Sequence, residues 1–177
     1  SKLRMPSTVI LLAAGSGSRM QGSVEDKILE PIHEKPAIVY SLQAFVESSV
    51  VDQYIIVYRD EAQKAEIESA IQENGLGNLK IQSVPGGAER QHSVIHALNV
   101  IDDSCDYVFI HDCARPCVSS DSIQKLDLAV QEDQAACLAH PVADTIKRTE
   151  STGELRKQEL EDLDRSRLWA METPQAF

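Results

Sequence analysis

A Rossmann-like α/β fold, a mostly parallel twisted sheet with helices on both faces, is predicted by three observations. Short apolar runs rich in β-branched and aromatic residues recur along the 177 residues. Longer segments with helical spacing separate them, and small or polar loop residues follow several of the runs. Strands buried on both faces read as continuous apolar runs, and a sheet built this way holds its ligands beyond the carboxyl ends of its strands.

In chain order, the expected strands are "STVILL" (residues 7–12), "QYIIVY" (53–58), "LKIQSV" (79–84), "DYVFIH" (106–111) and "AACLAHPV" (135–142). The helices expected between them cover residues 37–46, 61–73, 91–100 and 122–133, each following or opening on a cap residue or a proline. Residues 144–167 break the pattern: they are charge-rich and weakly periodic, with a "TGE" turn at 152–154. They predict a protruding β-arm, with a solvated helix over residues 156–163 as an equal alternative. The length suits one domain, residues 1–177, carrying that arm at about residues 144–167.

Composition narrows the function. With 42% hydrophobic and 25% charged residues the chain is a globular one. A formal charge of -11 argues against nucleic acid or an anionic membrane surface as partner, so a phosphate ligand must be held by a few local cations. Cys105, Cys113, Cys117 and Cys137 lack metal-cage or C-x-x-C spacing and suit free thiols in a reducing, cytoplasmic setting. No apolar run reaches the ~18 residues of a membrane span.

Three stretches carry candidate chemistry. Ala13, Ala14, Gly15, Ser16 and Gly17 follow the first strand, where little side-chain bulk lets backbone N–H groups close on a phosphate or nucleotide. The spacing is neither G-x-x-x-x-G-K-[ST] nor G-x-G-x-x-G, and taken alone it is also an ordinary turn. Arg19 and Lys27 follow in an otherwise acidic chain, a pair of cations suited to a triphosphate. "GGAERQHSV" (86–94) offers Gly86 and Gly87 for a tight turn and the Ser93 hydroxyl for a ligand edge, or simply caps a helix. "FIHDCARPC" (109–117) sets Asp112 at a strand's carboxyl end, where it can bind ribose hydroxyls or Mg²⁺, or cap a turn with Arg115 as its ion-pair partner. A parallel sheet would bring all three loops to one edge.

On these motifs, together with "DKILEPIHEKPAIVYSL" (26–42), "PVADTIKR" (141–148), "DRSRLW" (164–169) and "TPQAF" (173–177), the chain resembles the 2-C-methyl-D-erythritol 4-phosphate cytidylyltransferases of non-mevalonate isoprenoid synthesis. The resemblance runs nearly end to end. It implies a nucleotidyltransferase (GT-A-like) fold and a Mg²⁺-assisted reaction of CTP with methylerythritol phosphate, in which the substrate phosphate attacks the α-phosphorus in line. It assigns Arg19 and Lys27 to transition-state stabilisation and Ala13, Ala14, Gly15 and Gly17 to the nucleotide. Gly87, Ala88 and Ser93 would face the cytosine, with Asp112 on the ribose and metal side. It further implies a homodimer that exchanges the β-arm, so that Thr145 and Arg165 reach the substrate in the partner's site. A C-terminal part of the family domain, with a further substrate-binding lysine, is expected beyond Phe177.

The sequence departs from the family pattern in places: Ala88 stands for an acidic residue, His92 for a common aspartate and Asp26 for a proline, with one extra residue between Arg19 and Lys27. Ribitol-5-phosphate cytidylyltransferases are the nearest rivals, but their "FAGG" and "HDAVRP" variants differ from Leu12 to Gly15 and from Cys113 and Ala114 here. A molybdopterin guanylyltransferase would share only the first loop and Lys27. A nucleotide-binding protein without catalysis is the reading from another class.

Overall fold

The computed structural model describes residues 5–15, 26–152, 154, 156 and 158–177. Its elements run β1 (Ser7–Leu12), β2 (Pro31–Ile32), β3 (Lys35–Pro36), α1 (Ala37–Ser48), β4 (Gln53–Tyr58), α2 (Glu61–Glu73), β5 (Ile81–Pro85), α3 (Arg90–Leu98), β6 (Tyr107–Asp112), α4 (Ser120–Asp133), β7 (Ala136–Pro141), β8 (Lys147–Arg148), β9 (Glu161–Asp162) and β10 (Trp169–Ala176). Six strands form the main sheet in the order β5-β4-β1-β6-β10-β7. β4 and β6 flank β1 in parallel, β5 continues the parallel set, and β10 joins β6 antiparallel through Gln175 opposite Ile110 and Ala176 opposite Phe109.

The parallel register aligns the strand ends. Leu12 lies opposite both Val57 and Asp112, and Val57 lies opposite Val84. The loops after β1, β4, β5 and β6 therefore leave the sheet side by side, as expected of an α/β layer.

Helices cover both faces. On one, α3 inserts Ala97 among Ile10, Ile55, Val57, Val84 and Ile110. On the other, Phe45 of α1 meets Phe109 and His111 edge-on, with centroids 6.3 and 5.8 Å apart, and α1 packs on α4. The alternation of β6, with Ile110 on one face and Phe109 and His111 on the other, follows from the two-residue period of a strand. Helix starts obey local chemistry: α2 opens at Asp60, whose carboxylate accepts from the N–H of Gln63, and α4 at Ser119, whose hydroxyl accepts from Ser122.

Several boundaries shift from the sequence expectation. β5 starts at Ile81 rather than at residue 79, because the Ile81 N–H bonds back to the Leu79 carbonyl in a turn. α3 begins one residue early, at Arg90, and α4 two early, at Ser120. α1 runs on to Ser48 and stops where Ser49 turns left-handed, at φ 56°.

The chain divides into two compact units, one of Ser1–Cys137 with Thr173–Phe177 and the other of Leu138–Glu172. The second unit contains the stretch expected as an arm. β8 and β9 pair antiparallel in it, Lys147 opposite Asp162 and Arg148 opposite Glu161, each pair joined by an ion pair. That pairing takes Glu161 and Asp162 out of the competing helix over residues 156–163, since opposite charges across a ladder favour the strand form. Among the described residues of this unit no side chain is fully buried.

Candidate active site

The loop after β1 is fixed from its first residue. Ala13 is 2% exposed, and its N–H donates to the Val57 carbonyl at 2.9 Å. Ala14 meets the loop after β5: a Cβ on Gly86 would stand 2.6 Å from the Ala14 Cβ and 3.2 Å from the Tyr58 carbonyl. Gly86 is therefore required by close approach and not by an unusual φ. Its N–H bonds the same Tyr58 carbonyl at 2.7 Å. Gly15 is exposed, with open space where a Cβ would be. Gly17 and Arg19 lie outside the described residues.

The loop after β5 is shaped by Ser93, which is 5% exposed on the first turn of α3. Its Oγ accepts from the Gly87 N–H at 3.0 Å, folding the glycine pair over the helix start. A Cβ on Gly87 would fall 2.3 Å from the Cβ of His92, so this position too excludes a side chain. Ala88 is exposed.

The third loop is tied to the second by an ion pair. Arg90 Nε and Nη2 lie 3.2 and 3.1 Å from Asp112 Oδ1. The sequence had offered Arg115 as the partner. Arg115 instead turns back through its main chain, its N–H donating to the Asp112 carbonyl at 3.0 Å.

Beneath Asp112 sits a support the motifs do not announce. The Thr173 Oγ1 accepts from the Asp112 N–H at 3.1 Å and lies 3.0 Å from Nδ1 of His111. The Arg115 carbonyl, 3.1 Å from Nε2, can only accept, so the proton of the neutral ring sits on Nε2 and Nδ1 accepts from the threonine hydroxyl. The Ser41 hydroxyl lies 3.2 Å from Nε2. Burial pushes the His111 pKa down to about 4, so the ring is neutral at pH 7 and this bonding pattern holds. A histidine inside an apolar strand reads as core packing, and it is core; its hydrogen bonds also fix both sides of the Asp112 main chain.

Lys27 is exposed between two anchored neighbours. On one side Ile28 is buried, and its carbonyl accepts from the Ile38 N–H at 3.0 Å. On the other, Asp26 forms an ion pair with Arg59 at 3.0 Å and accepts from Gln63 Nε2 at 2.7 Å. Thr145 and Arg165 belong to the second unit. Thr145 is exposed, and Arg165 Nη1 donates to the Ala143 carbonyl at 2.6 Å. No cluster of three or more His, Cys, Asp or Glu residues able to hold a metal occurs among the described residues.

A parallel sheet with small-residue loops and the Asp112 carboxylate at its carboxyl edge is an α/β nucleotide-binding arrangement of the nucleotidyltransferase kind. Comparison with known proteins makes this particular: the chain belongs to the 2-C-methyl-D-erythritol 4-phosphate cytidylyltransferase family, whose model matches residues 7–177. It is 38% identical over 170 residues to the 2-C-methyl-D-erythritol 4-phosphate cytidylyltransferase of Bacillus cytotoxicus, covering 96% of this chain and 71% of that one. The Bacillus velezensis enzyme of the same name is 39% identical over 173 residues, covering 98% and 71%. The crystal structure of the Francisella tularensis enzyme superposes with a TM-score of 0.70 at 29% identity, covering 97% of this chain and 71% of that one. In fold alone, the chain also matches 4-diphosphocytidyl-2C-methyl-D-erythritol synthase of Anaerococcus prevotii, with a TM-score of 0.78 at 21% identity and coverage of 97% and 69%.

Proposed function

We propose that the loops after β1, β5 and β6 form the CTP pocket in which this chain carries out the reaction of its family. That reaction joins CTP to 2-C-methyl-D-erythritol 4-phosphate and releases pyrophosphate. The observation that carries the reading is the mutual contact of the three loops, Ala14 against Gly86 and Arg90 against Asp112.

A phosphate oxygen of methylerythritol phosphate attacks the α-phosphorus of CTP. As that O–P bond forms, the bond from the α-phosphorus to the bridging oxygen breaks and its electron pair leaves on pyrophosphate. Charge builds on the non-bridging oxygens, and the cations Arg19 and Lys27 stabilise it more in the transition state than in the ground state. Ala13, Ala14, Gly15 and Gly17 admit the phosphates and sugar to the backbone, and Gly87, Ala88 and Ser93 border the base. Asp112 is the carboxylate that would hold Mg²⁺, as one protein ligand among phosphate oxygens and waters, a donor set that suits this hard ion. When bound, Mg²⁺ supplies neutralisation of the nucleotide phosphates.

A homodimer is the expected assembly, with Thr145 and Arg165 serving the partner's substrate. Its support is the second unit, where Trp169 and Met171 are 60% and 55% exposed and no apolar side chain among the described residues is buried. A cytoplasmic setting suits the free thiols. No helix among the described residues is long and apolar enough to cross a membrane.

The test is pyrophosphate release by the full-length gene product with Mg²⁺. CTP is compared with the other nucleoside triphosphates, and methylerythritol phosphate with ribitol 5-phosphate. Release restricted to CTP and methylerythritol phosphate is expected. Release with ribitol 5-phosphate would reassign the substrate, and CTP binding without release would make the chain a nucleotide-binding protein.

A further inference from the structure

Gln63 is an unusual glutamine. It lies in the first turn of α2, yet it is 2% exposed, and both amide hydrogens and the amide oxygen have partners. Nε2 donates to the Ala13 carbonyl at 2.9 Å and to Asp26 Oδ2 at 2.7 Å, while Oε1 accepts from the Arg59 N–H at 2.6 Å. Three segments distant in sequence thus meet on one side chain: the loop after β1, the turn carrying Lys27, and the loop after β4. Arg59 closes the cluster, its guanidinium reaching Asp26 at 3.0 Å and Asp60 at 2.9 Å.

We infer that Gln63, acting through Asp26, is a positioning residue that holds Lys27 at a fixed place beside the nucleotide loop. The chemistry of the amide fits this task. The two donors must face two acceptors, Ala13 O and Asp26 Oδ2, and the acceptor must face a donor, Arg59 N. A glutamate in the same place would set a second carboxylate against Asp26, and a hydrocarbon would leave the Ala13 carbonyl and the Arg59 N–H without this partner and Asp26 with the Arg59 guanidinium alone. Asp26 is followed at once by Lys27, and its carbonyl accepts from the N–H groups of Leu29 and Glu30 at 2.7 and 3.1 Å. Fixing Asp26 therefore fixes the turn from which the ammonium projects. Displacing a charge-stabilising group by about 1 Å can cost on the order of 100-fold in rate, so a clamp one residue away has kinetic weight.

The inference rests on the role proposed for Lys27, and its test keeps the two apart. In the full-length protein, Gln63→Met keeps the length of the side chain and removes its hydrogen bonds. Asp26→Ala cuts the link at the carboxylate while leaving Gln63 its other partners, and guards against misfolding of the first variant. Two readouts are taken: deuterium uptake by the peptide spanning residues 26–30, and steady-state kinetics with and without Lys27→Ala. Both variants are expected to exchange faster over residues 26–30 and to lose on the order of tenfold in kcat, with KM for CTP changing less than about threefold. In the Lys27→Ala background the same changes should cost little more, because the group they position is gone.

Unchanged uptake in both folded variants would overturn the clamp whatever Lys27 does. Faster uptake with an unaltered kcat, while Lys27→Ala alone is slow, would overturn the positioning role. A full kcat in Lys27→Ala itself would overturn the proposed role of Lys27 and, with it, the kinetic consequence of the clamp.

Discussion

The two units of the chain are held together by different physics. In the first, beside the exposed Arg90–Asp112 ion pair, buried side chains shape the site through bonds to the main chain: Gln63 at Ala13 and Arg59, Ser93 at Gly87, Thr173 at Asp112. They sit on a core that includes Phe45, Phe109, Ile10 and Ile55, all fully buried. In the second, the polar contacts are made by exposed side chains, among them the Arg148–Glu161 ion pair and the Arg165 guanidinium on the Ala143 carbonyl. Buried, matched hydrogen bonds fix position because losing a partner is costly, whereas exposed ion pairs contribute ~0–1 kcal/mol each. The first kind of region can hold a fixed geometry, whereas the second leaves its side chains to solvent.

The contrast can be broken most severely at Lys27. Lys27→Ala is expected to lower kcat by on the order of 100-fold with little change in KM for CTP, as read by pyrophosphate release. Mixing that variant with Arg165→Ala subunits should restore part of the activity if the second unit serves the partner's site, because one site of each heterodimer then has both groups. No recovery would break the assignment of that unit to exchange.

Next comes acid. Because the folded state holds His111 neutral with a pKa of about 4, against 6.5 for the free residue, the unfolded chain binds a proton first as pH falls. The stability from this group is complete above pH 6.5 and is lost between 6.5 and 4, about 3 kcal/mol in all. Denaturant unfolding across that range should show a flatter pH dependence in His111→Gln; an unchanged slope would place the titrating support elsewhere.

Gly86→Ala should follow, costing roughly 1–3 kcal/mol by overpacking against Ala14 and weakening CTP binding, as measured by unfolding and calorimetry. Smallest is Arg148→Ala in the second unit, expected to change stability by less than about 1 kcal/mol. A larger loss would erase the contrast between the two regions.

Much of this was legible in the sequence, and the part that was not has a physical reason. Apolar runs and cap residues located β1, β4 and α2 to the residue, because strand burial and N-capping are local signals. The resemblance named Lys27, Gly87, Ser93 and Asp112, and the structure brings Gly87, Ser93 and Asp112 into linked loops through Ser93 and Arg90. What escaped were residues whose partners are remote. Gln63 follows its cap Asp60 by three positions, the spacing of a capping box, but its amide serves Ala13 and Asp26, which are 50 and 37 residues away. His111 and Thr173, 62 residues apart, hide in the same way, one as a strand residue and one in a terminal motif. The arm was undecided between hairpin and helix because its charges satisfy either period, and only cross-strand pairing distinguishes them.

The meeting of Ala14 and Gly86 also constrains descent. The tips of β1 and β5 share room for a single methyl group, and in this chain it belongs to Ala14. The carbon can pass to the other loop only through an intermediate with glycine at both positions, which leaves a gap, or with alanine at both, which forces the loops apart. Each route crosses a less fit state, so substitutions at these two sites are expected to travel together through a lineage, although the sites stand 72 positions apart in the sequence.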